Sequence, residues 1–219
     1  MNSLTATLVV GVFSLSGCAT TDRENMEPTV FRFQEATIAS IHRALASGRL
    51  TCTQLTRLYL DRIQAYNLQG PALRAILTVN PRAMEVAAEM DRRYAASPSS
   101  AGSLHCIPVI LKDNFNTYDM PTTGGNVSMK DSVPPADAFT VDRIRKAGAL
   151  ILAKANLQEF ARGGMSISSL GGQVLNPYDL TRTPRRLQRR HRRGDRRELR
   201  RAGHRQRHGP VHTVAGIRQ

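Results

Sequence analysis

The chain has 219 residues, a formal net charge of +14 and three cysteines. This length suits one good-sized domain or two small ones, and the few scattered cysteines exclude a disulfide-framework protein. Cys52 and Cys106 are interpreted as small buried hydrophobic residues. The charge is uneven, because residues 185–219 contain 13 arginines against only two acidic residues. The rest of the chain therefore has the composition of an ordinary globular domain.

The N-terminus has the pattern of an export signal. Residues 4–17 form an apolar stretch that is too short to span a bilayer but typical of a signal-peptide core. The stretch ends in Leu15-Ser16-Gly17-Cys18, which resembles a bacterial lipobox, whose cysteine becomes lipidated. We therefore expect a lipoprotein signal peptide over 1–18, a linker over 19–33, and a lipid anchor at Cys18 in the bacterial cell envelope. No Lys or Arg precedes the apolar core, so a cytoplasmic location is the alternative.

Hydrophobic periodicity between residues 34 and 184 predicts helices first and then alternating strands and helices. The predicted helices are 35–47, one that begins after Thr51 or Thr53, 81–95 and 137–147; the predicted strands are 75–79, 107–111 and 150–153, with one or two helical turns over 156–161. This order is typical of a layered α/β domain.

The strand predicted at 107–111 ends abruptly in Lys112, Asp113 and Asn114. Open α/β sheets bind their ligands at the carboxyl ends of strands, so Lys112 is a candidate functional residue. Surface lysines are common, however, and spacing alone favours a solvated strand end.

Four separated blocks of the sequence stand out: His105 to Asn114, Met120 to Gly124, Gly148 to Asn156 and Gly172 to Tyr178. Together they resemble the amidase signature family of Ser-cisSer-Lys hydrolases. They occur in the family's order, and the resemblance extends from about Ala36 to Pro184. One position departs from the pattern, because Cys106 stands where the family usually has glycine.

The resemblance implies an α/β/α layered domain with a mixed sheet and N-terminal helices, of which residues 34–184 form the N-terminal part. It implies hydrolysis of a small-molecule amide without a cofactor or metal. In this chemistry Lys112 acts as a neutral amine that takes a proton through a cis serine from a second, nucleophilic serine. The loop at Gly164, Met165 and Ser166 resembles the family's substrate-lining stretch, although a connecting loop without contacts is an equal alternative.

Both family serines are absent after Pro184. The family continues with G-G-S-S-G-G and, further on, G-S-D-T-G-G-S-I-R, whereas residues 185–219 contain no serine. A forward shift of the reading frame by one base permits G-G-S-S-G-G over 185–190 and G-S-D-T-G-R-S-I-R over 205–213. We interpret the tail as an out-of-frame translation, and we expect it to be disordered and the chain as printed to be inactive.

Other functions are compatible with this sequence. Taken at face value, the basic tail could bind anionic lipid, as in a non-catalytic envelope lipoprotein or a pseudoenzyme. Nucleic acid is a less favoured partner, because the tail has no Phe, Tyr or Trp to stack on bases. One component of a tRNA-linked amidotransferase is a further option within the family, but that enzyme is cytoplasmic and the lipobox argues against it.

Overall fold

A mixed β-sheet organises the computed structural model, which describes residues 31–184 and the backbone of residues 212 and 213. The α-helices are α1 (Ile38–Ala46), α2 (Cys52–Tyr66), α3 (Ala83–Ala96) and α4 (Phe139–Lys146), and short 3-10 helices cover Pro98–Ser100, Val127–Met129 and Glu159–Ala161. The strands are β1 (Ile76–Val79), β2 (Pro108–Lys112), β3 (Leu150–Ala155), β4 (Ile167–Ser168), β5 (Gly172–Gln173) and β6 (His212–Thr213).

Strand β3 lies between β1 and β2 in the four-stranded sheet, whose order is β1-β3-β2-β6. It is antiparallel to β1 and parallel to β2, which confirms the predicted mixed sheet. On its other side β2 pairs antiparallel with β6, so that Val109 lies opposite Thr213. These two residues are the part of the tail that the structure describes, and the disorder of residues 185–219 stays a prediction. The rest of the tail, and the predicted signal peptide, lie outside the described residues.

Two helices begin at threonine caps. The side chains of Thr37 and Thr51 each accept a hydrogen bond from a backbone N–H three residues later, and each bond is reciprocated to form a capping box. The cap of α2 is therefore Thr51 and not Thr53. Helix α3 begins at Ala83, two residues later than predicted, because Pro81 lies in a turn that precedes it.

Alternate residues of β2 and β3 face opposite layers of helices. Ile110, Leu150 and Leu152 pack in a cluster that contains buried residues of α1, α2 and α3. Val109, Leu111 and Ile151 pack in a second cluster with Val141 of α4. This arrangement confirms the predicted α/β/α layers. None of the helices within the described residues has the length and apolarity needed to cross a membrane.

Cys52 and Cys106 form a disulfide bond, with their Cα atoms 5.4 Å apart. Both residues are buried as predicted, but the expectation of separate thiols is wrong, because α2 and the start of β2 converge in the fold. The backbone of Cys106 has a φ of 63°. Glycine adopts this left-handed conformation at far lower cost than other residues, which accounts for glycine being usual in the family at this position.

We expect Cys52→Ala to lower the free energy of unfolding by about 4 kcal/mol, because the bond closes a long loop in the unfolded chain. Cys106→Gly removes the same bond but relieves the left-handed strain, so it should be more stable than Cys106→Ala by about 1 kcal/mol. Urea unfolding of the full chain, followed by circular dichroism without reductant, measures these differences.

Adding dithiothreitol provides the control for this disulfide. The reduced wild-type protein should fall to a stability near that of Cys52→Ala, since both then lack the cross-link. A wild-type unfolding curve that does not move on reduction would contradict a stabilising bond between Cys52 and Cys106.

Candidate active site

Lys112 is the last residue of β2 and is half-buried, after four fully buried residues of the same strand. Its backbone lies opposite Ala155 at the end of β3, and its carbonyl accepts a hydrogen bond from the Phe115 N–H at 3.0 Å. Within the described part of the chain, no hydrogen bond or ion pair engages its ammonium group. The strand therefore brings an uncommitted amine to the carboxyl edge of the sheet.

Lys154, on the neighbouring strand β3, is completely buried. Its Nζ donates hydrogen bonds to Thr122 Oγ1 at 2.8 Å and to the Pro121 carbonyl at 3.1 Å. The same Nζ lies 3.1 Å from Asp113 Oδ1. Burial lowers the pKa of Lys154, because loss of water disfavours the charged amine, while the Asp113 carboxylate acts in the opposite direction. An ion pair thus ties β3 to the residue that follows Lys112.

Asp113 also holds the loop 120–125, which we call the threonine–glycine loop. Its Oδ2 accepts hydrogen bonds from the Thr123 N–H, at 3.1 Å, and from the Thr123 hydroxyl. Its main-chain carbonyl accepts a hydrogen bond from the Gly124 N–H at 2.9 Å. The loop is therefore held against the carboxyl end of β2, beside the candidate base.

The β4–β5 hairpin packs on this loop through Gly125. The Gly125 carbonyl accepts a hydrogen bond from the Leu170 N–H at 3.0 Å. Ser168 Oγ donates a hydrogen bond to the side chain of Asn156, at the end of β3, at 2.7 Å. A Cβ atom added at Gly125 would lie 2.8 Å from Ser168 Cβ, so the hairpin approaches too closely for any side chain. The hairpin, the loop and the ends of β2 and β3 form one continuous structure.

The predicted substrate-lining residues Gly164, Met165 and Ser166 lie in the segment that leads into β4. The carbonyls of Met165 and Ser166 accept hydrogen bonds from the Gln173 side chain at 2.8 and 3.3 Å, and Met165 is 44% exposed. No hydrogen bond or ion pair within the described residues joins these three residues to Lys112. Their contact with substrate stays a prediction.

Sequence reasoning assigned no role to Asp113 or Lys154. The available signal was a charge within an apolar strand, since β3 continues through Lys154 to Ala155 instead of ending at Ala153 as predicted. A lysine inside a buried strand requires a partner, and Asp113 is the nearest acidic residue after β2.

The cavity with a volume of about 210 Å³ lies away from this site. It is lined by residues of α3, α4 and the segment before β2, including Tyr94, His105 and Arg145. His105 precedes β2, whereas Lys112 ends it, so the cavity is at the opposite end of the strand. Within the described residues, no group of three His, Cys, Asp or Glu residues is placed to hold a metal ion.

Comparison with known proteins identifies the family. The family model for amidases matches residues 54–184. A glutamyl-tRNA(Gln) amidotransferase subunit from Azoarcus sp. (strain BH72) is 41% identical over 150 residues, covering 68% of this chain and 30% of that protein. A probable amidase of Arabidopsis thaliana is 40% identical over 163 residues, covering 71% of this chain and 31% of that protein. The chain belongs to the amidase family.

Solved structures show the same fold. The native peptide amidase of Stenotrophomonas maltophilia superposes with a TM-score of 0.65 at 38% identity, over 70% of this chain and 33% of that chain. Peptide amidase in complex with the competitive inhibitor chymostatin superposes with a TM-score of 0.66 at 39% identity, over 71% of this chain and 32% of that chain. The predicted partial amidase-signature domain is confirmed, and the chain spans about 30% of the length of the relatives it matches.

Gly125→Ala is expected to destabilise the fold by about 1–3 kcal/mol more than Gly48→Ala, because only the first substitution forces a steric collision. The two glycines have similar φ angles of +79° and +70°, but an added Cβ at Gly48 has no atom within 4 Å. Both variants therefore carry the same left-handed penalty. Urea unfolding of the two variants in parallel makes the comparison, and equal losses would show that the hairpin does not pack on Gly125.

Proposed function

We propose that residues 34–184 form the lysine-bearing part of an amidase that hydrolyses a carbon–nitrogen bond, with Lys112 as its base. The observation that carries this proposal is the contrast between two neighbouring lysines. Lys112 reaches the carboxyl edge of the sheet uncommitted, whereas Lys154 is buried and fully engaged. A general base has to reach the proton that it takes, and this contrast favours Lys112 over Lys154 for that role.

The proposed reaction follows the Ser-cisSer-Lys scheme. The Lys112 amine accepts a proton from the cis serine, which takes one from the nucleophilic serine. The nucleophile attacks the amide carbonyl, the protonated Lys112 returns a proton through the cis serine to the leaving amine, and water hydrolyses the acyl-enzyme. Backbone N–H groups hold the negatively charged oxygen of the intermediate. Because residues 185–219 contain no serine, we propose that the chain as printed does not carry out this reaction.

Strand β6 supports the interpretation of the tail as an out-of-frame translation. In the shifted frame, residues 211–213 permit Ser-Ile-Arg, whose serine is the family's nucleophile. The backbone of residues 212 and 213 pairs with Ile110 and Val109 of β2, the strand that ends at Lys112. The shifted frame would therefore encode the nucleophile directly before the two residues that pair with β2.

We expect the frame-corrected, full-length protein to hydrolyse a small aryl amide and the printed chain to show no turnover. Lys112→Ala in the corrected protein should lower kcat/KM by about 10²–10⁴-fold, the usual contribution of a general base. Lys146→Ala is the matched control, because Lys146 lies on the surface and pairs with Asp142 at 2.8 Å. Release of the aryl amine, followed by absorbance, measures all four proteins.

Two results would contradict this scheme in different ways. Turnover by the printed chain that disappears with Lys112→Ala would show that it is an enzyme as it stands. Unchanged turnover of the corrected protein after Lys112→Ala would remove Lys112 from the mechanism. Sequencing both DNA strands across codon 184 tests the frame independently of activity.

A small-molecule amide is the substrate class that we favour over a tRNA-linked one. The relatives include peptide amidases as well as a glutamyl-tRNA(Gln) amidotransferase subunit. A charged tRNA is a cytoplasmic substrate, whereas Leu15-Ser16-Gly17-Cys18 favours export. The disulfide between Cys52 and Cys106 supports export as well, because such bonds persist in oxidising compartments.

We further propose that Cys18 anchors the exported chain to the cell envelope. Cys18→Ala should move the protein from the membrane fraction to the soluble fraction and abolish the mass increase from lipidation. Cys52→Ala keeps the lipobox and should stay with the membrane. Unchanged fractionation and mass of Cys18→Ala would exclude the anchor. Membrane binding of Cys18→Ala that is released by high salt would instead favour the alternative, a basic tail on anionic lipid.

A further inference from the structure

We propose that Lys154 is a positioning residue, which sets the direction in which Lys112 leaves β2 by holding Asp113. This inference rests on the proposed role of Lys112 as a base. The two lysines differ in burial and in partners. The buried ammonium group of Lys154 contacts both Asp113, which follows Lys112, and two residues of the threonine–glycine loop.

Asp113 is held by β3 through both its backbone and its side chain. Its N–H donates a hydrogen bond to the Ala155 carbonyl at 3.1 Å, and its carboxylate pairs with Lys154. Lys112 lies directly before it and opposite Ala155 in the register of the two parallel strands. With the following residue fixed at two points, the backbone of Lys112 is held in place, and the Cα–Cβ bond of Lys112 therefore has one direction.

Lysine suits this junction because its ammonium group has three donors, and three oxygen atoms surround it. Two of them, the Pro121 carbonyl and Thr122 Oγ1, accept hydrogen bonds from Lys154 Nζ. The third is Asp113 Oδ1, whose contact with the ammonium group is an ion pair without hydrogen-bond alignment. Arginine would present a planar fork instead of a compact point charge and does not match this arrangement.

A buried ion pair is a costly way to hold a core together, since apolar residues of the same volume often stabilise it equally well. Retaining a charge at Lys154 therefore points to a requirement for geometry. The pair fixes β2, β3 and the threonine–glycine loop relative to one another at the point where Lys112 emerges.

The test is the chemical reactivity of Lys112 in folded Lys154→Met, a variant that removes the charge and the donors while keeping a long side chain. Acetylation with acetic anhydride is followed by mass spectrometry, and Lys112 is compared with the exposed Lys130 of the same molecule. We expect the Lys112/Lys130 ratio to rise at least threefold as Lys112 loses its fixed direction. Amide hydrogen exchange of residues 120–125 should also become at least tenfold faster.

Two control variants separate positioning from stability. Cys52→Ala weakens the fold at a distance from the site, and Lys146→Met removes a surface ion pair, so neither should move the Lys112/Lys130 ratio. If Lys154→Met does not fold, Thr122→Val removes one acceptor of Lys154 and should shift the ratio in the same direction by a smaller factor.

An unchanged ratio in folded Lys154→Met, or in Thr122→Val where the first variant does not fold, would overturn the proposal. A ratio that shifts equally in Cys52→Ala would overturn it as well, because general loosening would then explain the effect. Acetylation does not depend on hydrolysis. A finding that Lys112 is not a base would therefore leave this test intact, and a negative result here would leave the proposed function standing.

Discussion

A single buried ammonium group joins the parts of this structure that matter for its proposed chemistry. Lys154 contacts the residue after β2 and two residues of the threonine–glycine loop, and it is itself part of β3. Placing a charge where water cannot reach it is unfavourable unless its partners are correctly placed. The ends of β2 and β3 and the threonine–glycine loop are therefore fixed relative to one another. The β4–β5 hairpin, which packs on Gly125, is fixed with them.

Local patterns predicted most of the fold. Apolar periodicity located each α-helix and strands β1, β2 and β3, and one of the two candidate threonines proved to be the cap of α2. One error was local, and the others occurred where distant segments meet. The predicted start of α3 was two residues too early, because Pro81 lies in a turn that precedes the helix. The predicted end of β3 was two residues too early, because a lysine usually lies at the surface and the ion pair of Lys154 with Asp113 was not foreseen. Spacing carries no information about such pairs.

In the candidate site, too, local features could be predicted from the sequence and contacts between distant segments could not. The position of Lys112 at the end of a buried strand could be predicted, and the structure places it there. The structural support around it could not, because the contacts of Asp113 and Lys154 join three segments that are separated in the sequence: the end of β2, the threonine–glycine loop and the end of β3. The cysteine pair was missed for the same reason. Cys106 replaces a residue that is usually glycine, and its tether to Cys52 offsets part of the conformational cost of that replacement.

The strand order has a consequence for how the protein is made. Strand β3 lies between β1 and β2, yet it is synthesised after both of them. Until the ribosome has passed residue 155, β1 and β2 have no common neighbour, and the apolar residues of β2 lack the strand that covers one edge. Unpaired apolar strands associate readily with other chains. The nascent chain therefore passes through an aggregation-prone interval, which ends when β3, with its buried charge, inserts into the sheet.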